Sequence, residues 1–91
     1  MQAAFEAIIA GRVQMVMYRD FALRAAHEAG ITGEVKNMDD NSVFVHAEGD
    51  KEKLEAFVEK LNTGPLLAQV ETMRVTWIPP SGTYTDFSIT H

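Results

Sequence analysis

Apolar residues fall on alternate positions near the start of the chain. Phe5, Ala7 and Ile9 share one side of residues 4–10, which predicts a half-buried strand, with Ile8 facing the other way. Residues 20–29 are rich in Ala and Leu. Phe21, Ala22, Ala25, Ala26 and Ala29 come near one another on a helix, and Gly30 follows as its C-cap. Small residues on that packing face predict a helix lying close to whatever it covers. Residues 33–37 and 42–48 flank Asp39-Asp40-Asn41-Ser42. Asx residues tolerate the left-handed backbone of tight turns, so this reads as strand, turn, strand. Val43, Val45 and Ala47 alternate there with Phe44, His46 and Glu48.

Leu54, Phe57, Val58 and Leu61 stand at i, i+3, i+4 and i+7 and predict an amphipathic helix, with Asp50 placed to cap its start and Gly64-Pro65 to end it. Val70, Met73, Val75 and Trp77 predict a fourth strand whose phase slips once between 70 and 73, as a bulge would cause. Pro79-Pro80-Ser81-Gly82 reads as a turn, and Tyr84 to Ile89 as a last strand with Phe87 and Ile89 inward. The order is β-α-β-β-α-β with one extra strand. That is the α+β, ferredoxin-like split βαβ sandwich: an antiparallel sheet of four to five strands with two helices on one face. Many unrelated functions use this topology, so it assigns none.

Composition narrows the functional classes. The 91 residues are 46% hydrophobic and 23% charged, enough for a packed core, and no linker, repeat or low-complexity stretch divides them; one domain over residues 1–91 is expected. With no cysteine there is neither a disulfide framework nor a thiolate metal site. Thirteen acids against eight bases give a net charge of −5, which argues against nucleic acid and anionic membrane as partners. No apolar run is long enough to span a bilayer. The start, MQAAFEAIIAG, lacks a basic signal-peptide region and carries Glu6, so the expected compartment is the cytoplasm. The acidity is uneven: up to residue 19 the chain holds Glu6 against Arg12 and Arg19, and the excess of acids lies beyond.

Gly11 to Arg19 joins the first strand to the first helix. Such a junction presents unpaired backbone N–H groups at the positive end of a helix, a nest suited to phosphate. Arg19 at the helix start adds a bidentate guanidinium. Alone, one Arg on a turn is more often a solvated surface residue. The fuller pattern is more specific. Gly11-Arg12-Val13-Gln14-Met15-Val16-Met17-Tyr18-Arg19 resembles the acylphosphatase signature Gly-x-Val-Gln-Gly-Val-x-Phe/Tyr-Arg. Gly33-x-Val35-x-Asn37-x-x-Asp40 resembles that family's second block, Gly64-Pro65 with Ala68 and Val70 its third, and Asp86-Phe87 with Ile89 its closing strand. The similarity covers nearly all of residues 5–90, in order.

The resemblance implies an enzyme, an acylphosphatase that hydrolyses the carboxyl–phosphate bond of small acyl phosphates to carboxylate and inorganic phosphate, with no cofactor and no metal. It implies that the backbone amides of the loop Gln14, Met15, Val16, Met17, Tyr18 and Arg19 hold the phosphate with the Arg19 side chain. Asn37 would position the attacking water. The chemistry suits these residue types, because phosphoryl transfer relies on positioning and fixed donors and a carboxylate leaves without a strong acid. A monomer is expected, acting on small molecules. The length expects a stand-alone enzyme and not the similar domain attached to carbamoyl-transferring maturation proteins.

Two departures bear on that expectation. Met15 stands where the pattern has glycine. If the position is left-handed, Met costs about 1–2 kcal/mol in strain or blocks the phosphate. The alternative function is therefore a catalytically weakened, acylphosphatase-like binding or interaction domain. Asn41 for the turn glycine is milder, since Asn tolerates the same backbone. His27, His46 and His91 lack metal-ligand spacing and read as scattered or packed residues. Asp39 and Asp40 read as turn chemistry, and Glu52, Glu55 and Glu59 as a solvated helix face. For Trp77 and Phe44, burial is expected.

Overall fold

The computed structural model describes residues 1–91. Five strands form one sheet in the order β4-β1-β3-β2-β5: β1 (Gln2–Arg12), β2 (Thr32–Asn37), β3 (Val43–Asp50), β4 (Gln69–Ile78) and β5 (Phe87–Ile89). The alternation in β1 decides which face is buried. Phe5, Ala7 and Ile9 pair with Ala47, Val45 and Val43 of β3, and all six are buried. Because side chains alternate across a sheet, this register puts one continuous apolar surface on one side. Helices α1 (Tyr18–Ala29) and α2 (Lys51–Thr63) cover it. The first brings Ala22, Ala25 and Ala26, so it packs closely; the second brings Leu54, Phe57 and Leu61. Phe57 joins the layers, its ring 6.2 Å from that of Phe5 and 5.9 Å from that of Phe87.

Several expectations are met and some need correcting. The fourth-strand bulge is real. Ala10 pairs with Thr72 but Gly11 with Val70, leaving Glu71 extra. Gly11 makes this possible, with φ 128° and a backbone so close to β4 that a Cβ would come within 2.2 Å of the Gln69 carbonyl. The sheet is mixed and not wholly antiparallel, since β5 runs parallel to β2. The last strand is also shorter than expected, Phe87–Ile89 alone. β4 and β5 lie on opposite edges of the sheet, so residues 79–86 cross between them, and the Asp86 carbonyl accepts from the Gly33 N–H of β2 at 3.0 Å. The first helix begins at Tyr18, two residues before its expected start, and takes Arg19 into its first turn. Asp50 sits at the N-cap of α2 without capping it; its carboxylate accepts from the N-terminal ammonium at 3.2 Å. Trp77 is 43% exposed at the sheet edge, with its ring against Phe5.

The crossing segment is pinned to the sheet face away from the helices. Glu6, His46 and Glu34 stand side by side on β1, β3 and β2. The His46 ring nitrogens lie 3.1 Å from Glu6 and 2.7 Å from Glu48. The Glu48 carboxylate, itself buried, accepts from the Ser81 N–H and hydroxyl and from the Gly82 N–H. Tyr84 stacks on His46 with ring centres 4.8 Å apart and donates to Glu34, which also accepts from Thr90.

Burial opposes the charge on Glu48, but its hydrogen bonds from His46, Ser81 and Gly82 prevail and hold its pKa down at about 2. Burial likewise works against charge on His46, and the carboxylates of Glu48 and Glu6 outweigh it, raising the pKa above 6.5. The Glu48 contribution to stability is thus complete above its unfolded pKa of 4.5 and lost as pH falls toward 2. The His46 contribution is complete below 6.5 and lost as pH rises through its raised folded pKa. Substituting Glu48→Gln is expected to cost about 2 kcal/mol, the worth of hydrogen bonds to a charged group. Urea unfolding of both proteins from pH 2 to 9 should show the largest gap between the two unfolded pKa values, narrowing toward either extreme.

Candidate phosphate site

The strand β1 ends at Arg12 and α1 begins at Tyr18, leaving Val13 to Met17 as the connecting loop. Val13 is buried in the core and anchors it. Met15 has φ 61° and Met17 φ 65°, both left-handed, while Val16 between them keeps an ordinary negative φ. Alternation of this kind turns successive N–H groups toward one concavity. No N–H from Gln14 to Met17 donates to any group of the chain. The first N–H groups of α1 have no partner within the helix, and the N-cap residue Met17 supplies no side-chain acceptor. Donors therefore converge at the positive end of a helix dipole.

Side chains hold the loop in this shape. The Gln14 amide donates to the Met38 and Ser42 carbonyls, both at 2.9 Å, tying the loop to the β2–β3 turn. Within that turn Asp40 accepts from the Ser42 N–H and hydroxyl, and Asn41 takes φ 73°, as its sequence predicts. These bonds, with the carboxylate open to solvent, lower the Asp40 pKa. At the helix end, Tyr18 is buried and donates its hydroxyl to the Leu61 carbonyl of α2; burial drives its pKa upward. Gly64 lets α2 end against this ring, since a Cβ there would lie 3.2 Å from it.

Of the predicted site residues, Met15, Met17, Tyr18 and Arg19 share one cavity, whose lining does not include Gln14, Val16 or Asn37. Val13, Met15, Met17, Tyr18, Arg19 and Ile89 line a cavity of about 110 Å³, with Asp20 at its edge. Arg19 makes no ion pair or hydrogen bond within the chain, whereas Asp20 faces Arg24 at 3.4 Å. Ile89 pairs with Val35 on β2, two residues from Asn37, and Asn37 immediately precedes the carbonyl that holds Gln14. The Asn37 Oδ1 is buried and has no hydrogen-bond partner. An orphaned acceptor of that kind is rare and calls for a donor. Met15 is left-handed, so it bears the strain its substitution for glycine predicts, but its side chain is 99% exposed and does not fill the cradle. His46 and Glu48 belong to the opposite face and His91 is exposed; neither group enters this site.

The sequence reading did not find the roles of the Gln14 amide or the Tyr18 hydroxyl. The signals were a Gln in a loop whose other side chains are apolar and a Tyr where a helix starts, but neither spacing names a partner 24 or 43 residues away.

The acylphosphatase family model matches residues 5–89. An acylphosphatase of Thermus thermophilus is 47% identical over 84% of this chain and 86% of its own. One from Thermotoga maritima is 44% identical over 89% of each. The crystal structure of an acylphosphatase from Bacillus subtilis superposes with a TM-score of 0.94 over the whole of both chains, at 34% identity.

Loss of the two Gln14 bonds is expected to loosen the cradle. Gln14→Ala should weaken binding of inorganic phosphate about tenfold, the effect of losing about 1.4 kcal/mol. Isothermal calorimetry on the two proteins measures it, and equal affinities would mean that the pin does not shape the loop.

Proposed function

Because the chain belongs to the acylphosphatase family, whose reaction is hydrolysis of the carboxyl–phosphate bond of acyl phosphates, we propose that this reaction takes place in the cradle formed by residues 14–19. The observation that carries the reading is a loop whose amides donate to nothing in the chain, beside an Arg19 guanidinium without a partner. The amides of Gln14, Met15, Val16, Met17, Tyr18 and Arg19 and the Arg19 side chain receive the phosphoryl oxygens. Water donates one hydrogen bond to the orphaned Asn37 Oδ1, which orients its lone pair toward phosphorus.

As the water oxygen bonds to phosphorus, the bond from phosphorus to the bridging acyl oxygen breaks and its electron pair leaves on the carboxylate. The water protons pass to the phosphate, giving carboxylate and dihydrogen phosphate. Negative charge spreads over the equatorial oxygens during transfer, and donors already aimed at those positions stabilise it without reorganising. The carboxylate leaves as a stable anion, so a site built from amides, Arg and Asn has the groups this step needs.

We place the enzyme in the cytoplasm as a monomer, one domain over residues 1–91. No helix is long and apolar enough to cross a membrane, and the net charge of −5 gives no broad basic surface for a polyanion. A single phosphate held at short range needs only local positive potential. The weakened binding domain is not favoured, because the Met15 side chain leaves the cradle open.

Turnover of acetyl phosphate tests the assignment. Asn37→Ala is expected to lower kcat by about 10²–10³ with little change in phosphate affinity, since it removes a group that orients only the water. Arg19→Ala should lower kcat and phosphate affinity together. Wild-type turnover no higher than that of Arg19→Ala would contradict the assignment.

A further inference from the structure

The cradle accounts for the phosphate half of the substrate and leaves the acyl half without a binding surface. The cavity beside the loop is small, about 110 Å³, and it is lined by the loop that would hold the phosphoryl group. The acyl chain must therefore leave across the rim. In this chain the rim is apolar. Met15 is 99% and Met17 66% exposed, and both line the cavity together with Arg19 and Ile89. Both residues have a left-handed backbone, and the Met15 side chain stands almost wholly in solvent.

A single exposed apolar side chain needs no explanation, but two at one small cavity put apolar surface where the acyl chain leaves. Methionine is flexible and polarisable enough to fold over an apolar chain of variable shape. We infer that Met15 and Met17 form a lip that binds the acyl group and makes the enzyme favour acyl phosphates with longer, uncharged, apolar acyl chains. The inference rests on the hydrolytic reading of this cradle and adds the feature that selects the substrate.

Acetyl, butanoyl and hexanoyl phosphate separate the two. Their leaving carboxylates have nearly equal basicity, so intrinsic reactivity stays constant while apolar area grows. Wild-type kcat/KM is expected to rise about twofold per added methylene, the effect of burying roughly half of each. In the Met15→Gln/Met17→Gln double variant, which keeps side-chain length and the same backbone demand, the rise per methylene should largely vanish, whatever the absolute rate. A general disturbance of the loop would scale all three substrates by one factor and preserve the slope. A flat wild-type series, or an unchanged slope in the double variant, overturns the lip while turnover itself persists. No turnover of any of the three overturns the hydrolytic reading together with it.

Discussion

Residues 15–17 run left-handed, ordinary, left-handed, and neither left-handed residue is a glycine. For L-residues each such position costs about 1–2 kcal/mol, so the loop persists only because its surroundings fix it. Val13 buries itself in the core on one side. Tyr18 is buried on the other and is bonded through its hydroxyl to α2. Gln14 reaches out between them to the β2–β3 turn. The gain from this strain is a row of N–H groups kept away from acceptors in the chain. Relaxing the loop into ordinary turn geometry would remove the alternation that makes them converge.

The opposite face of the sheet supports the same end of the molecule indirectly. Residues 79–86 must cross from one edge to the other before β5 can pair with β2, and Ile89 on β5 forms one wall of the cradle cavity. Holding that crossing takes the Glu48 carboxylate on Ser81 and Gly82 and the Tyr84 ring on His46. Gly33 serves the pairing of β2 with β3. With φ 139°, it lets β2 approach so closely that a Cβ would lie 1.9 Å from the His46 carbonyl. The charged cluster thus works as a fastening, far in the fold from the loop it helps to complete.

The parts of this fold that rest on periodicity were readable. Phe5, Ala7 and Ile9 declare a buried face, and Leu54, Phe57 and Leu61 declare a helix stripe, because neighbours along the chain carry that information. The bulge at Glu71 was legible as a phase slip. What periodicity cannot carry is the path of residues 79–86. Tyr84 alternates as a strand residue would, yet its partners are His46 and Glu34, distant in sequence, so its strand assignment failed. The candidate site is readable only through resemblance: matching positions name Arg19 and Asn37, and their roles are the proposal that their substitution tests. The left-handed backbone at Met15 is a condition that the sequence leaves open, since φ is set by the closure of the whole loop. The pins at Gln14 and Tyr18 depend on carbonyls that no side-chain pattern marks.

The proposed reaction depends on phosphate binding by the amides of the strained loop. Titrating isotopically labelled protein with inorganic phosphate and following backbone amide resonances tests it directly. Saturable shifts concentrated at residues 14–19 are expected, with the Arg19 Nε–H moving in step. Shifts centred elsewhere, or no saturable response in the loop, would contradict it.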